Sequence, residues 1–263
     1  MERLYDLLFE LSSEERHGIL LLLKERPMNV TQLARKLDLS TQETSRHVQR
    51  IVEAELAAKN PNGQYYISPF GNLLLSQLTG TKFIVKNRQY FTSHILDRIP
   101  EGSRASIGEL SDSQLIDNVM VMVHSVEETL RGAEEYLLDI NVPYIASAFP
   151  LIGEAFARGV RGQFLHTSDL KIPPSMLEER VRYMDDRVMQ RIRSSGLYQE
   201  RVVDKADVVL YMSEKQVAIV SFPVEEQRFD YLGFASKDRK ALAWCRDLFM
   251  HYWEFSRPVP IDE

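Results

Sequence analysis

The sequence predicts a two-domain α+β protein, with a winged helical head, a helical linker and a C-terminal α/β domain containing a mixed sheet. Three observations indicate this fold class. Short amphipathic segments and a hairpin fill residues 1–70, helical periodicity fills residues 71–104, and helix-like and strand-like segments alternate over residues 105–263. The chain has 263 residues, of which 44% are hydrophobic, so it can bury two modest cores.

The head begins with three predicted helices. "SSEERHGILLLLKERPMN" is typical of a helix that is capped by Ser12 or Ser13 and stopped by Pro27. "VTQLARKLDLS" predicts a second helix with Thr31 as its cap, and "LSTQETSRHVQRIVEAEL" predicts a third with Val48 at the centre of its apolar face. "AAKNPNGQYYIS" then predicts a hairpin, because "NPNG" favours a turn between two strand-like pieces.

Three helices followed by a hairpin indicate a winged helix-turn-helix domain. In that arrangement the start of the third helix enters the major groove and the hairpin reaches the adjacent backbone. His47 lies to one side of the polar face, where packing, phosphate contact and base reading all stay open. The expected DNA contacts are Thr41, Gln42, Ser45, Arg46, Gln49 and Arg50 in the helix, and Asn60, Asn62 and Gln64 in the hairpin.

The distribution of charge limits how this protein could bind DNA. The net charge is −6, divided as −1 over residues 1–70, +3 over residues 71–99 and −8 over residues 100–263. A protein that binds nucleic acid by charge alone has a basic domain, so any DNA contact here must be local and geometric. The nearly neutral head keeps a second reading open, in which the winged domain binds protein without recognising DNA.

Residues 71–104 predict a helical linker with two open roles. "PFGNLLLSQLTGTKFIVKNRQYFTSHILDRIP" is mainly helical from Pro69, with a break expected at "TGT". A helix that leaves a winged domain is a common place for dimer contacts. The alternative is a helix that packs on its own domain.

The C-terminal region predicts alternating helices and strands. The predicted helices are "SDSQLIDNVMVMVHSVEETLRGAEEYLLDI", "PLIGEAFARG", "PPSMLEERVRYMDDRVMQRIRSSG" and "KDRKALAWCRDLFMHYWEF". The predicted strands are "VPYIASAF", "VRGQFLHT", "LYQERVV", "ADVVLYMS", "QVAIVSFP" and "FDYLGFAS". In the third helix the inward-facing residues are expected to be Leu177, Val181, Met184, Val188 and Ile192.

The third head helix resembles the recognition helix of ArsR-like winged-helix regulators. Their pattern runs Leu-Ser-x-x-x-x-Ser-Arg-His-Leu and closes with Gly-Leu; here Ser45, Arg46 and His47 match, Val48 replaces Leu, and Glu55 stands where Gly is usual. The downstream "NRQYFTSHILDRIPEGSRASIGELSDSQLID" is similar to the second-domain entry of the archaeal methanogenesis regulatory protein family. Over nearly the whole chain, this resemblance implies an archaeal, dimeric, DNA-binding transcription regulator. Its TrmB-like second domain, related to the phospholipase D fold, would sense a small molecule.

Enzymatic and metal chemistry are not expected. Phospholipase D chemistry needs a His followed two residues later by Lys, and none of the six histidines has that spacing. The sequence contains no nucleophile elbow, phosphate-binding Gly loop or His-Glu-x-x-His helix, so no cofactor is predicted. Cys245, the single cysteine, is expected in the core beside Trp244 and Leu248. The absence of a disulfide framework, a membrane-length apolar run and a signal peptide predicts a cytoplasmic protein.

The remaining predicted site is an effector pocket at the ends of two strands. In open α/β sheets ligands bind beyond the carboxyl ends of the strands, near helix N-termini. "ASAFPL" and "FLHTSD" mark two such ends, so the expected lining is Ser147, Phe149, His166, Thr167 and Ser168. The alternative is that these residues cap helices and fill the edge of the core.

Overall fold

The computed structural model describes residues 4–143, 145–168, 174–183, 185–225 and 228–259. The chain divides into two compact units, Met1–Thr79 and Gly80–Glu263. The division falls inside a helix, within the segment for which the sequence predicts a linker. None of the helices in the described ranges is both long and apolar enough to cross a lipid bilayer.

The first unit is a winged helix-turn-helix domain, as predicted. Its elements are α1 (Leu4–Leu11), α2 (Glu14–Glu25), α3 (Val30–Leu37), α4 (Thr41–Glu53), β1 (Ala57–Lys59), β2 (Tyr65–Ile67) and the start of α5 (Pro69–Lys86). The two strands pair antiparallel, with Ala57 opposite Ile67. The core consists mainly of aliphatic side chains from α2, α3 and α4, among them Ile19, Leu20, Leu33, Val48 and Ile51. Helix α1 was not predicted.

The helix caps agree with the prediction for α2 and differ for α3. Ser13 caps α2, and its hydroxyl accepts a hydrogen bond from the Arg16 amide. The prediction of Thr31 as the cap of α3 is wrong, because Asn29 holds that position. Asn29 Oδ1 accepts from the Gln32 amide at 2.9 Å, and Gln32 Oε1 accepts from the Asn29 amide at 3.0 Å. This reciprocal capping box satisfies two backbone donors that a cap at Thr31, two residues later, would leave open.

The residue that departs from the ArsR-like pattern has the backbone geometry of a glycine. Glu55, which links α4 to β1, has a φ of 57°, in the left-handed region that side chains with a Cβ disfavour. Its carbonyl accepts a hydrogen bond from the Ser68 hydroxyl at 2.6 Å. The turn therefore keeps the conformation that favours Gly in spite of the substitution.

The second unit is an α/β domain with a mixed sheet, as predicted. After α5 its helices are α6 (Arg88–Phe91), α7 (Glu101–Ala105), a 3-10 turn (Ile107–Leu110), α8 (Val119–Gly132), α9 (Ala148–Ala157), α10 (Pro174–Tyr183), α11 (Asp186–Ser194) and α12 (Arg239–Glu254). Its strands are β3 (Gln114–Ile116), β4 (Tyr136–Ile140), β5 (Arg161–Thr167), β6 (Tyr198–Val203), β7 (Val209–Ser213), β8 (Val217–Ser221), β9 (Gly233–Ser236) and β10 (Arg257–Pro258). Among the described residues they form one sheet in the order β10-β6-β5-β4-β7-β8-β9-β3. Strands β4, β5 and β6 are parallel, and the other pairs are antiparallel.

The start of this domain corrects two predictions. The long helix expected over residues 111–140 is only α8, with β3 before it and β4 after it. The strand expected at "VPYIASAF" is wrong, because β4 ends at Ile140 and α9 begins at Ala148. The Asn141 amide makes the last backbone hydrogen bond to β5, to the Leu165 carbonyl at 3.2 Å. Its φ of 53° then turns the chain, and Pro143 has no amide hydrogen with which to continue the ladder.

Two further helix predictions are also corrected. The break expected at "TGT" does not occur, since α5 runs unbroken from Pro69 to Lys86. The single helix expected after residue 173 is two helices, because Asp185 caps α11 through the Val188 amide at 2.8 Å. Ile192 is buried as predicted and Val188 is half-buried, whereas Val181 is exposed. The side chains of Leu177 and Met184 lie outside the described residues.

The sheet of the second unit is covered on both faces. Side chains alternate along β7, so that Leu210 packs with α12 on one face and Val209 packs with α8 on the other. Cys245, a residue of α12, is fully buried in this core, as predicted, and burial raises the pKa of its thiol. The α12 core also contains Phe83, Tyr90 and Ile99. The later part of the predicted linker therefore packs into the second unit.

Candidate DNA-binding helix and candidate ligand cavity

The predicted recognition helix α4 is fixed by a buried face that leaves a polar face outside. Ser40 caps the helix and accepts from the Glu43 amide at 3.1 Å. Thr44, Val48 and Ile51 are buried against the rest of the head. The Thr44 hydroxyl donates to the Ser40 carbonyl at 2.9 Å, so this polar side chain is satisfied inside the helix.

The structure brings most of the predicted DNA contacts to the exposed side of α4. The exposed residues of this set are Thr41, Gln42, Ser45, Arg46, Gln49 and Arg50. Gln42, Ser45, Arg46 and Gln49 have helical spacings of three and four residues, so they form one continuous polar row. Gln49 Nε2 donates to Glu53 Oε1 at 2.9 Å, further along the same helix.

Arg50 differs from the rest of the set because it is held by α1. Its Nε donates to Glu10 Oε2 at 3.1 Å, and its guanidinium lies 5.3 Å from the centre of the Phe9 ring. Glu10 also pairs with the buried Arg16 at 3.0 Å, and Arg16 donates to the carbonyls of Phe9 and Glu10. Arg16 thus satisfies carbonyls at the end of α1 and anchors that helix. This cluster was not predicted from the sequence, because two of its members, Phe9 and Glu10, belong to the unpredicted helix α1.

The wing is a short hairpin with a tight tip. Asn60 Oδ1 accepts from the Gln64 amide at 2.9 Å, and Gly63 supplies a φ of 77°. Asn62 is exposed at the tip, whereas Gln64 is half-buried. Lys59 is exposed at the end of β1, next to the tip of the wing, with its ammonium 5.4 Å from the Tyr65 ring centre. Lys59 is a phosphate candidate that the sequence analysis overlooked, although it stands directly before "NPNG".

The second unit contains a cavity of about 80 Å³ beside the sheet, lined by residues near the carboxyl ends of β4 and β5 and by residues of β6 and β7. We call it the Asp139 cavity. Its lining is Val126, Asp139, Val142, Pro143, Ile145, Ala148, Phe149, Ile152, Phe164, His166, Met189, Tyr198 and Tyr211. The walls are mostly apolar with a few polar groups, which is the usual composition of a small-molecule site.

Asp139 and Tyr211 place polar groups deep in this cavity. They are direct partners across β4 and β7, so their side chains share one face of the sheet. Asp139 is buried, and its Oδ1 accepts from the Val142 amide at 3.3 Å. Burial raises the pKa of Asp139 to about 7, and the charge of His166 opposes that rise. The Tyr211 hydroxyl is buried and makes no hydrogen bond within the described residues.

His166 joins the cavity to a second polar layer. Its Nε2 lies 3.5 Å from Glu200 Oε1. The Tyr198 hydroxyl donates to Glu200 Oε2 at 2.8 Å, and Arg193 lies 3.6 Å from the same oxygen. Burial by itself would raise the pKa of the Glu200 carboxyl. These partners outweigh burial, and the pKa is lowered. Glu200 is thus a carboxylate held by three partners, His166, Tyr198 and Arg193.

The structure places two of the five predicted effector residues in the cavity lining. Phe149 and His166 line it, whereas Ser147, Thr167 and Ser168 are not among the lining residues. Ser147 is exposed before α9, and the Thr167 amide donates to Asn141 Oδ1 at 3.2 Å.

Asp139 and Tyr211 were missed by the sequence analysis. Their sequence signals are a single carboxylate in the apolar "YLLDI" and a single hydroxyl in "VVLY".

The head therefore defines a protein with a winged helix-turn-helix domain, the class of domain with which many transcription regulators bind DNA. Residues 11–64 match the model of the MarR family. This match covers the head and does not extend to the second unit. No curated protein sequence gives a significant match to the chain.

Solved structures resemble the chain only distantly. TrmBL2, described as an archaeal chromatin protein with a novel mode of DNA binding, is 17% identical with a TM-score of 0.42, covering 96% of this chain and 94% of that one. Nuc, a phospholipase D family member from Salmonella typhimurium, is 12% identical with a TM-score of 0.36, covering 51% of this chain and 88% of that one. The methyltransferase SibL is 14% identical with a TM-score of 0.26, covering 74% of this chain and 62% of that one. Similarities at this level carry no functional argument.

Proposed function

We propose that this protein is a sequence-specific, DNA-binding transcription regulator whose α4 reads the major groove. The observation that carries the proposal is the exposed row of Gln42, Ser45, Arg46 and Gln49 on a helix fixed by a buried face. Amide and guanidinium groups of this kind bind adenine and guanine edges or phosphates. The matching of residues 11–64 to the MarR family supports the same reading. Asn62, Gln64 and Lys59 would contact the backbone from the wing.

Replacing Arg46 by Ala tests this proposal. The operator is first identified by selecting bound sequences from random DNA with the full chain. Arg46→Ala should then weaken operator binding by about 1–3 kcal/mol, because it removes a base or phosphate contact, and leave folding unchanged. The matched control is Arg26→Ala, which removes an exposed arginine of the head outside α4.

Two results would contradict DNA reading by α4. One is an equal affinity of Arg46→Ala, Arg26→Ala and the parent protein for the selected operator. The other is that no DNA sequence is selected and that any binding to DNA does not weaken as the salt concentration rises. Phosphate contacts release counterions, so binding that depends on them must weaken with salt. The second result would favour the alternative, a winged domain that binds protein.

We further propose that the second unit senses a small molecule through the Asp139 cavity and that the protein acts as a homodimer. The cavity supports sensing because polar groups converge in an apolar chamber near the carboxyl ends of β4 and β5. Helix α1 supports self-association because Leu4, Tyr5, Leu8 and Phe9 are all exposed. The resemblance to archaeal methanogenesis regulatory proteins leads to the same two proposals.

Sensing and assembly have separate tests. Ala148→Leu adds volume at the cavity wall, so it should abolish any metabolite-dependent change in operator affinity while basal affinity remains. A metabolite response that survives this change would place the sensor elsewhere. A dimer should protect inverted half-sites about 10 bp apart, or a multiple of that, and have twice the chain mass in solution. A monomer mass with a single unrepeated site would refute the dimer.

A further inference from the structure

We propose that the Asp139 cavity binds a small organic cation, a protonated amine whose charge faces Asp139 and whose carbon atoms contact the aromatic and aliphatic walls. This inference names the ligand class for the sensing role proposed above, and it rests on that role for its regulatory meaning. The binding itself can be tested without DNA.

The buried carboxylate of the cavity favours a cation. His166 lies 3.5 Å from Glu200, and Arg193 pairs with the same carboxylate at 3.6 Å. Neither Glu200 nor Arg193 lines the cavity. Asp139 is the one carboxylate among the described lining residues, and it is buried. A positive charge on a ligand would neutralise this carboxylate, whereas an anion would meet it at close range.

The hydrogen-bonding groups fit an ammonium donor. The Tyr211 hydroxyl lies across the strand pair from Asp139 and makes no hydrogen bond within the described part of the chain. A buried hydroxyl without a partner costs free energy, and a ligand that donates a hydrogen bond to its oxygen lowers that cost. An ammonium group is a donor with three hydrogens, so it can serve the Asp139 carboxylate and the Tyr211 oxygen together.

The walls of the cavity fit the rest of such a ligand. Four aromatic rings line it, those of Phe149, Phe164, Tyr198 and Tyr211. The faces of aromatic rings attract cations, most strongly where water is excluded. The volume of about 80 Å³ restricts the ligand to a few non-hydrogen atoms. A short alkylammonium ion satisfies the charge, the donors and the size.

The binding reaction should release a proton. Burial raises the pKa of Asp139 to about 7, so near neutral pH part of the population carries a protonated carboxyl. A cation favours the carboxylate and displaces that proton. The other titratable groups in the lining are His166 on β5, Tyr198 on β6 and Tyr211 on β7, with Glu200 behind His166. The lining residues from α8, α9 and α11 are Val126, Ala148, Phe149, Ile152 and Met189 and do not titrate.

The experiment is calorimetric titration of the full chain with three probes that each contain three carbon atoms, n-propylammonium, 1-propanol and propionate. We expect measurable binding of n-propylammonium, at least tenfold tighter than that of 1-propanol, and none of propionate. Titration at pH 6.5 in buffers of different ionisation enthalpy should show proton release. Equal binding of amine and alcohol, or no binding of the amine, overturns the proposal.

Variants assign the binding to the cavity. Asp139→Asn should weaken n-propylammonium binding at least tenfold and abolish proton release. Tyr211→Phe should weaken it severalfold and provides the test if Asp139→Asn fails to fold. The matched control is Tyr252→Phe, which removes a buried hydroxyl outside the lining and should leave affinity unchanged. Unchanged affinity in a folded Asp139→Asn or, failing that, in Tyr211→Phe overturns the assignment.

Operator affinity, measured on the same proteins, separates this inference from the sensing role. If the parent protein binds the amine, Asp139→Asn loses that binding, and the amine does not change the operator affinity of the parent, the ligand class is supported and sensing is refuted. If the amine does not bind, but another metabolite changes operator affinity and Ala148→Leu abolishes that change, the ligand class is refuted and sensing is supported.

Discussion

Arg50, one of the predicted DNA contacts, is already paired within the head. Its guanidinium pairs with Glu10 of α1 and lies over the Phe9 ring, although the side chain remains about half exposed. A phosphate that approaches α4 must therefore displace Glu10 before Arg50 can pair with it. The pair stabilises the position of α1 and holds back one possible DNA contact.

Replacing Glu10 by Gln should release Arg50. We expect tighter DNA binding and a salt dependence that is steeper by about one phosphate contact, a change of about 0.9 in the slope of log K against log salt. The cost is a lower free energy of unfolding, by about 1–3 kcal/mol, because the buried Arg16 loses its carboxylate partner but keeps two carbonyl acceptors. The control is Glu14→Gln, an exposed acid of the same head. Equal slopes for the two variants would show that Arg50 does not reach phosphate.

Asp139 should make the stability of the second unit depend on pH. Its pKa rises from the ordinary value of 3.8 to about 7 because burial disfavours the charge. The folded state therefore holds the proton more tightly than the unfolded chain, and the free energy of unfolding falls as pH rises from about 4 to about 7. The full loss above pH 7 is on the order of 4 kcal/mol.

Asp139→Asn should remove this loss, so the variant gains stability relative to the parent between pH 4 and pH 8. Urea unfolding followed by the fluorescence of Trp244 and Trp253, both in α12, reports on the second unit. Asp204→Asn is the control, because the Asp204 side chain is exposed. A difference between Asp139→Asn and the parent that stays constant with pH would mean that Asp139 does not titrate in this range.

At the scale of elements, α3 shows how a cap decides where a helix starts. Asn29 and Gln32 satisfy each other's backbone donors, and Thr31 is exposed inside the first turn. Asn29→Ala should lower the free energy of unfolding by about 0.5–2 kcal/mol. Thr31→Ala, the change at the cap expected from sequence, should alter it by less than about 0.5 kcal/mol. Urea titration of the two variants in the full chain tests the assignment, and a larger effect from Thr31 would reverse it.

The end of β4 shows why an apolar run was mistaken for a strand. Val142, Pro143, Ile145 and Phe149 belong to an apolar stretch because they line the Asp139 cavity, not because they form a ladder. Asn141 ends β4, and its side-chain amide donates to the carbonyls of Ala206 and Val208. A buried loop and a buried strand both appear in the sequence as a short apolar run, so hydropathy alone does not distinguish them.

At the scale of the whole molecule, the division into units determines which fragments can fold. Leu75 is buried in the core of the first unit, whereas Phe83, Tyr90 and Ile99 are buried in the core of the second. A fragment of residues 1–79 keeps the complete core of the head. A fragment of residues 1–100 exposes three large apolar side chains in addition.

We therefore expect the 1–79 fragment to be soluble and helical and to bind the selected operator. The 1–100 fragment should bind as well but self-associate more strongly at equal concentration, because exposed apolar surface promotes association. Sedimentation and operator titration of both fragments, with the full chain as reference, measure this. Stronger association of the shorter fragment would contradict the boundary at Thr79, and loss of all DNA binding from a folded 1–79 fragment would contradict the reading role of α4.

By itself, the sequence determined the winged head, the mixed α/β second unit and the exposed polar face of α4. These features depend on local periodicity, turn residues and caps, which neighbouring residues encode. Gln42, Ser45, Arg46 and Gln49 were predictable because spacings of three and four residues on a helix place side chains together.

Only the tertiary structure decided the pairing of Arg50 with Glu10 and the meeting of Asp139, Tyr211 and His166 in one cavity. These residues are separated by 40 positions in the first case and by up to 72 in the second. Their proximity follows from the packing of α1 and from strand order β5-β4-β7, in which β7 lies next to β4 although β5 and β6 come between them in the chain. Strand pairing over such distances leaves no periodic trace in a single sequence, so local patterns could not reveal it.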